Sequence, residues 1–434
     1  MADLSFVRKE IIPQRAAPLS QTGIIGWFRK NMFSDIPNTI LTIIVGYFII
    51  SILGNILPWV FSPTWNSVSL TECRGILAEL GRSGHGGGGA CWGVIRERWL
   101  QLLFGFYPSE LYWRPILAFV LLGLALAPVL FDKASRKLIY LTAIYPFLCF
   151  WLIWGGSIWF PVIVFSGFIV AYLGYVYVNK TFGSLAGVIA SIALPVLWWL
   201  FITSPLSTLL HSIMPLGSEA IESDRLGGFM LAVLIGVTGI ALSLPIGILL
   251  ALGRQSNLPI LKAVCVCFIE FIRGVPLITL LFVASTLLNI FLPPGSNFDL
   301  ILRVMIMVTL FASAYMAEVV RGGLAALPKG QYEAADSLGL DYWKAQRLII
   351  MPQALKISIP GIVSTFIGLF KDTTLVSIIG LLDPLGLSTN IRADMAWNGI
   401  LWELYGFVGL IFFIFCFSMS RYSMYLERKL ATGH

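Results

Sequence analysis

Three pairs of ionisable residues stand inside stretches that are otherwise apolar: Glu270 with Arg273, Glu318 with Arg321, and Lys371 with Asp372, the last followed by Thr373 and Thr374. A charge held at mid-bilayer costs roughly 3 kcal/mol or more, so each needs a partner or a use. A zwitterionic solute leaving water needs a cation for its carboxylate and an anion for its ammonium. Charge-assisted hydrogen bonds to Arg or Lys and to Glu or Asp supply both. Glu270, Arg273, Glu318, Lys371, Asp372, Thr373 and Thr374 are therefore candidates for a substrate path. A plainer reading uses the same residues. Pairs three apart on a helix neutralise each other and stabilise a bundle, and Arg273 and Arg321 can extend to an aqueous rim.

A second polar feature is the run from Glu318 to Pro352, flanked on both sides by long apolar segments. Pro328 and Gly330 break the helix before it. A short helix is expected from about Gln331 to Leu338, with Tyr332, Ala335 and Leu338 or Gly339 on one face. Gly339 fits a left-handed C-terminal position, where a side chain would clash. Asp341 fits the N-cap of the next helix, which carries Lys344, Arg347 and Pro352. The small residues Ala334 and Ala335 would let a partner surface come close. A capped, mixed-charge hairpin of this kind reads as a docking element.

The elements that must position these groups are membrane helices. The 434 residues are 58% hydrophobic and 12% charged, with mean hydropathy +0.86, whereas soluble domains are nearer a quarter charged. Ten apolar spans are expected, at about 38–61, 113–131, 138–155, 159–178, 185–203, 228–252, 261–288, 300–320, 355–380 and 402–420. The runs are too long and continuous for barrel strands, so the fold class is all-α and polytopic. Arg8, Lys9, Arg15, Arg29 and Lys30 place the arm 1–37 in the cytoplasm. Lys133, Arg136 and Lys137, then Lys180, Arg254, and finally Arg421, Arg428 and Lys429 give consistent parity with both termini inside. The first apolar run has no small-residue cleavage site after it and reads as a retained span. The charge of +7 follows span ends, which argues against a nucleic-acid partner.

The chain divides into the arm 1–37, an N-terminal set of spans 38–225 with an external loop 62–111, and a second five-span unit 226–430. Cys73 and Cys91 fall in the external loop, where disulfides persist, and a bridge between them would restrain a glycine-rich segment. Cys149, Cys265, Cys267 and Cys416 lie in apolar runs and read as small hydrophobes.

Glu333-Ala334-Ala335, Gly339 three residues beyond Asp336, and Ile350-Met351-Pro352 resemble the EAA–G–I-x-P signature of ABC importer permeases. RGVPLI, AEVVRGG, LPKGQYEAADSLGL and MPQAL resemble the polar amino acid branch of that family. The likeness is dense over 226–430, and the extra N-terminal spans resemble the M-type permease of general L-amino acid systems. Met351 stands where Leu is usual, a volume-conserving change. The resemblance implies a type I importer unit with a coupling helix at about 331–342, using Glu333, Ala334, Ala335, Asp336, Gly339 and Pro352. It also implies two copies of a separate ATP-binding subunit, which would hold ATP and Mg. A second, related permease or a second copy would complete the pathway, and an extracytoplasmic amino acid-binding protein would deliver substrate. The expected location is a bacterial inner membrane, in contact with lipid.

No catalytic residue is expected. His85-Gly86-Gly87-Gly88 lacks the G-x-S-x-G elbow that would make it an esterase loop. No phosphate-binding G-x-x-x-x-G-K-[ST] occurs, so no cofactor is expected on this chain. His85, His211 and His434 are too scattered for a metal site. An ion-coupled secondary transporter would account for the intramembrane charges but not for a docking hairpin, and no internal repeat relates the two halves. A membrane scaffold would need neither feature.

Overall fold

The computed structural model describes residues 23–82, 88–287, 290 and 298–430. Arg8, Lys9, Arg15, His85, the Pro293–Gly295 turn and His434 lie outside the described residues. Two compact units appear, Met1–Gly93 and Val94–His434.

In the first unit, α1 (Gly23–Asn31) precedes α2 (Ile36–Val60). The Asp35 side chain caps α2 by accepting from the Asn38 N–H at 2.8 Å, and Pro37 in the first turn gives up no hydrogen bond. The stretch expected as an irregular loop is folded. Ser69 accepts from the Glu72 N–H at 3.2 Å to start α3 (Leu70–Glu79), while Glu72 accepts from the Val68 N–H at 2.8 Å. Cys73, at 0% exposure, is disulfide-bonded to Cys91 across 5.8 Å between Cα atoms. Trp92 donates its indole N–H to the Val60 carbonyl at 2.6 Å and stacks on Trp65, and the Thr64 hydroxyl donates to the Ala90 carbonyl. These contacts tie together the described residues on either side of 83–87.

In the second unit α4 (Gly93–Phe104) leads into α5 (Trp113–Leu130), α6 (Leu138–Trp154), α7 (Trp159–Phe182), α8 (Ser184–Leu197) and α9 (Thr203–Ile213). A five-residue π turn joins α8 to α9, so the apolar run continues over Ser184–Ile213, beyond the expected end near 203. Antiparallel pairing of β1 (Gly156–Ser157) with β2 (Gly217–Ser218) closes the turn after α6.

Then follow α10 (Gly228–Gln255), α11 (Pro259–Gly274), α12 (Leu277–Phe282), α13 (Leu300–Ala325), α14 (Lys329–Ser337), α15 (Tyr342–Ala345), α16 (Met351–Asp372), α17 (Pro384–Ala393) and α18 (Trp402–Leu430). Eight helical segments are long and apolar enough to span a bilayer among the described residues. Counted as one span, the bent α11–α12 pair makes a ninth, and α6 is apolar but shorter, at 17 residues.

One expected span is corrected. The run from Leu261 onward is not straight: α11 and the segment Leu277–Leu287 meet at 102°. Val275 is extended (φ −107°, ψ 131°), the conformation forced on a residue before proline, and Pro276 starts the next helix. Hydropathy continues through this break, so composition does not mark it.

The core of this half is built on small residues. A Cβ on Gly247 would come within 2.7 Å of the Met316 Cβ, and one on Gly323 within 2.5 Å of the Ala354 carbonyl. Thus α10 and α16 pack directly against α13, the way membrane helices associate when apolar burial alone offers little gain.

Candidate functional site

The hairpin after α13 is capped at its turn, where one helix ends and the next begins. Gly339 has φ +67°. The Leu340 N–H donates to the Ala335 carbonyl at 3.3 Å and the Gly339 N–H to the Asp336 carbonyl at 2.9 Å, the two bonds of a Schellman termination. The Asp341 carboxylate accepts from the Lys344 N–H at 2.9 Å, and that bond holds the Asp341 carboxyl below the usual range. The helix runs over Lys329–Ser337, two residues earlier than expected.

Its faces divide sharply. Tyr332 packs against the buried cluster that includes Leu324, Leu327, Ile350 and Ala354, joining the hairpin to the ends of α13 and α16. Ala335 is 1% exposed, so the expectation that it offers itself to a partner is corrected. Its small side chain permits close packing within this chain. Glu333, Ala334, Asp336 and Gly339 face outward, and Leu338 (72%), Trp343 (66%), Tyr342 and Leu348 form an apolar surface around them. Pro352 sits in the first turn of α16, where its missing N–H costs nothing.

Beside this hairpin lies a five-membered charge cluster. Glu318 of α13 is 2.8 Å from Arg254, 3.0 Å from Arg321 and 3.6 Å from Arg273. Arg254 also reaches Glu270 at 2.7 Å, while Glu270 and Arg273 are only within 4.0 Å of one another. Three arginines face two glutamates on α10, α11 and α13. The short connection between Gln255 and Pro259 turns α11 back beside the end of α10, and the 102° bend follows the cluster, after Gly274. Sequence spacing suggested separate i,i+3 pairs. The bridging residue, Arg254, was visible only as a basic span end, sixteen positions from its Glu270 partner.

The remaining candidates are elsewhere. Thr373 is buried against Gly236 of α10, and Lys371 and Asp372 end α16 beside it. Gly236 precedes Arg254 by eighteen residues, about 27 Å along a helix. Lys371–Thr374 and the charge cluster therefore occupy different levels and cannot hold one small solute together. Among the described residues no salt bridge includes Lys371 or Asp372. The Cys73–Cys91 pair belongs to the first unit.

The family model for the binding-protein-dependent transport system inner membrane component matches residues 243–432. The glutamate/glutamine/aspartate/asparagine transport system permease protein BztC of Rhodobacter capsulatus is 59% identical, over 100% of both chains. The inner membrane amino-acid ABC transporter permease protein YhdY of Escherichia coli K12 is 40% identical, over 97% of each. The probable glutamine ABC transporter permease protein GlnP of Bacillus subtilis is 31% identical over 46% of this chain and 90% of its own.

Proposed function

The chain belongs to the amino-acid ABC transporter permeases of the inner membrane, and from that premise we propose how it is driven and what it carries. It is a transmembrane permease subunit of an amino acid importer, a role that implies an ATP-binding subunit and a binding protein as partners. In our reading ATP and Mg are held by two copies of the separate ATP-binding subunit. The helix Lys329–Ser337 is the coupling helix, with Glu333, Ala334, Asp336 and Gly339 at the contact and Pro352 fixing the start of α16. One observation carries this: a hairpin capped at Gly339 and Asp341, with Leu338, Tyr342, Trp343 and Leu348 exposed, packs through Tyr332 against a buried cluster that includes residues of α13 and α16. Apolar side chains on an otherwise polar hairpin are what a protein partner covers.

Displacement of the hairpin would reach Glu318 and Arg321 through the last turns of α13. The cluster Arg254–Glu270–Arg273–Glu318–Arg321 then acts as a latch across α10, α11 and α13, closed in this conformation. Lys371, Asp372, Thr373 and Thr374 are the candidates left to meet substrate. Both termini lie in the cytoplasm, and a related second permease completes the pathway. Full-length identity to BztC supports glutamate, glutamine, aspartate and asparagine as the substrate group.

The test is ATP-driven uptake of those four amino acids, with leucine and lysine for contrast, by the complex in vesicles with and without its binding protein. Uptake that persists without ATP, driven by an ion gradient, would overturn this reading.

A further inference from the structure

The N-terminal helices have no counterpart in the short relative that matches less than half of this chain, and their contribution is visible at one junction. Three separate stretches of backbone meet there. Gly105 bridges Leu226 in antiparallel fashion and Gly227 bridges Leu382 in parallel, with the Phe106 N–H donating to the Arg225 carbonyl at 3.1 Å and the Gly228 N–H to the Leu382 carbonyl at 2.7 Å. The stack has no room for side chains. A Cβ on Gly105 would lie 2.6 Å from the Gly227 Cα, one on Gly227 2.6 Å from the Leu382 carbonyl oxygen, and one on Gly228 2.3 Å from that of Leu102. Gly105 and Gly228 also have φ of +73° and +65°.

Beyond the backbone contact, Arg98 on α4 donates to the Asp394 carboxylate at 2.6 Å across 296 residues of sequence. The other Asp394 oxygen accepts from the Ala396 N–H at 2.9 Å, holding the turn that buries Trp397 at 1% exposure. Between these two attachments lies α17, capped by Asp383 through the Gly386 and Leu385 N–H groups at 2.9 and 3.2 Å. The loop 381–397 is thus fastened at both ends, at one end to Gly227 and through it to Gly105, at the other to Arg98. It joins α16, which ends in Lys371 and Asp372, to α18.

We infer that the segment Arg98–Phe106 of the N-terminal half is a positioning element for the loop 381–397 of the transport unit, with Arg98 setting the loop's Asp394 end, so that the two move as one body when the pathway opens to the binding protein. This rests on the importer reading above and deepens it, by giving the extra helices a part in the step that accepts substrate. Arg98 touches no solute in this account; it acts through Asp394 and Trp397.

The experiment is a charge-reversal cycle in the complete complex in vesicles, titrated with binding protein loaded with glutamate. Arg98→Asp and Asp394→Arg, made singly, should each raise the binding-protein concentration for half-maximal uptake by about threefold to tenfold. ATP hydrolysis without binding protein should stay unchanged. The double variant should recover most of the loss, and Arg98→Lys should fall between. A merely structural pair would lower the amount and melting temperature of the folded complex and leave that half-maximal concentration as it is. Single variants that match the unaltered complex, or a folded double variant that recovers nothing, would overturn the inference. The unaltered complex is measured alongside: if it fails to take up amino acids on ATP, the importer reading falls, independently of the cycle.

Discussion

The spans before residue 226 and those after it are built on different rules. Along Ser184–Ile213 only 11% of the apolar window is buried within the protein, whereas along Leu300–Ala325 the share is 56%. The earlier helices add indole-to-carbonyl bonds to their apolar contacts, as where Trp199 donates to the Val164 carbonyl at 2.9 Å and packs on Phe168. The later ones carry the five-membered charge cluster, and both sets come close at glycines. A helix that changes partners during transport gains from small contacts and paired charges, while one facing lipid needs only apolar bulk. The burial makes α13 the hub of the later set.

Substitutions can break this comparison, beginning with the largest effect. A Cβ at Gly323 meets the Ser358 hydroxyl at 2.1 Å, while one at Gly123 of α5 meets nothing within 4 Å. Gly323→Leu should abolish recovery of folded protein, since overpacking at even one site costs about 3 kcal/mol. Gly123→Leu should be recovered normally, and size-exclusion profiles of both read the difference. Next, Glu318→Gln leaves Arg254, Arg273 and Arg321 without their shared anion, a loss on the order of 3 kcal/mol to the latch. Uptake should drop by about tenfold or more while ATP hydrolysis without binding protein rises. Glu270→Gln, at a position where the side chain is 53% exposed, should do less.

A smaller effect comes from Asp383, which is 0% exposed and whose carboxyl burial pushes up to about 6 from 3.8, against the N–H bonds from Gly386 and Leu385. A raised carboxylate favours the protonated folded form. Its stabilisation is full below the unfolded value and lost as pH rises through about 6. Stability should fall by about 2 kcal/mol between pH of about 4.5 and about 7. Melting curves should show that slope, and Asp383→Asn should flatten it. Smallest of all, Gly339→Ala must place a Cβ at φ +67° and should cost about 1 kcal/mol locally. It should reduce uptake per ATP hydrolysed without altering the order of preferred amino acids.

Much of this architecture was legible in the chain. Long apolar runs locate the helices because a bilayer demands about 20 such residues in a row. Pro328, Gly339 and Asp341 mark the hairpin because each residue type suits a backbone state that few others tolerate. What escaped depended on three-dimensional return of the chain. The Val275–Pro276 bend carries a local signal, but continuous hydropathy hides it. Arg254 gains its meaning only once α11 folds back beside the end of α10 and brings Glu270 to it. Ala335 faces inward, where its small size could equally have served a partner. The junction of Gly105, Gly227 and Leu382 joins segments more than a hundred residues apart, and no period or motif announces it.

The central claim is that force enters through the exposed face of Lys329–Ser337, and one substitution tests it most directly. Leu338 is 72% exposed, so Leu338→Asp should leave the fold of this chain intact. The measurement is ATP-driven glutamate uptake, together with retention of the ATP-binding subunit, in vesicles holding that variant. The variant permease should fold, retain little ATP-binding subunit and take up no glutamate. Full retention with unchanged uptake would contradict it.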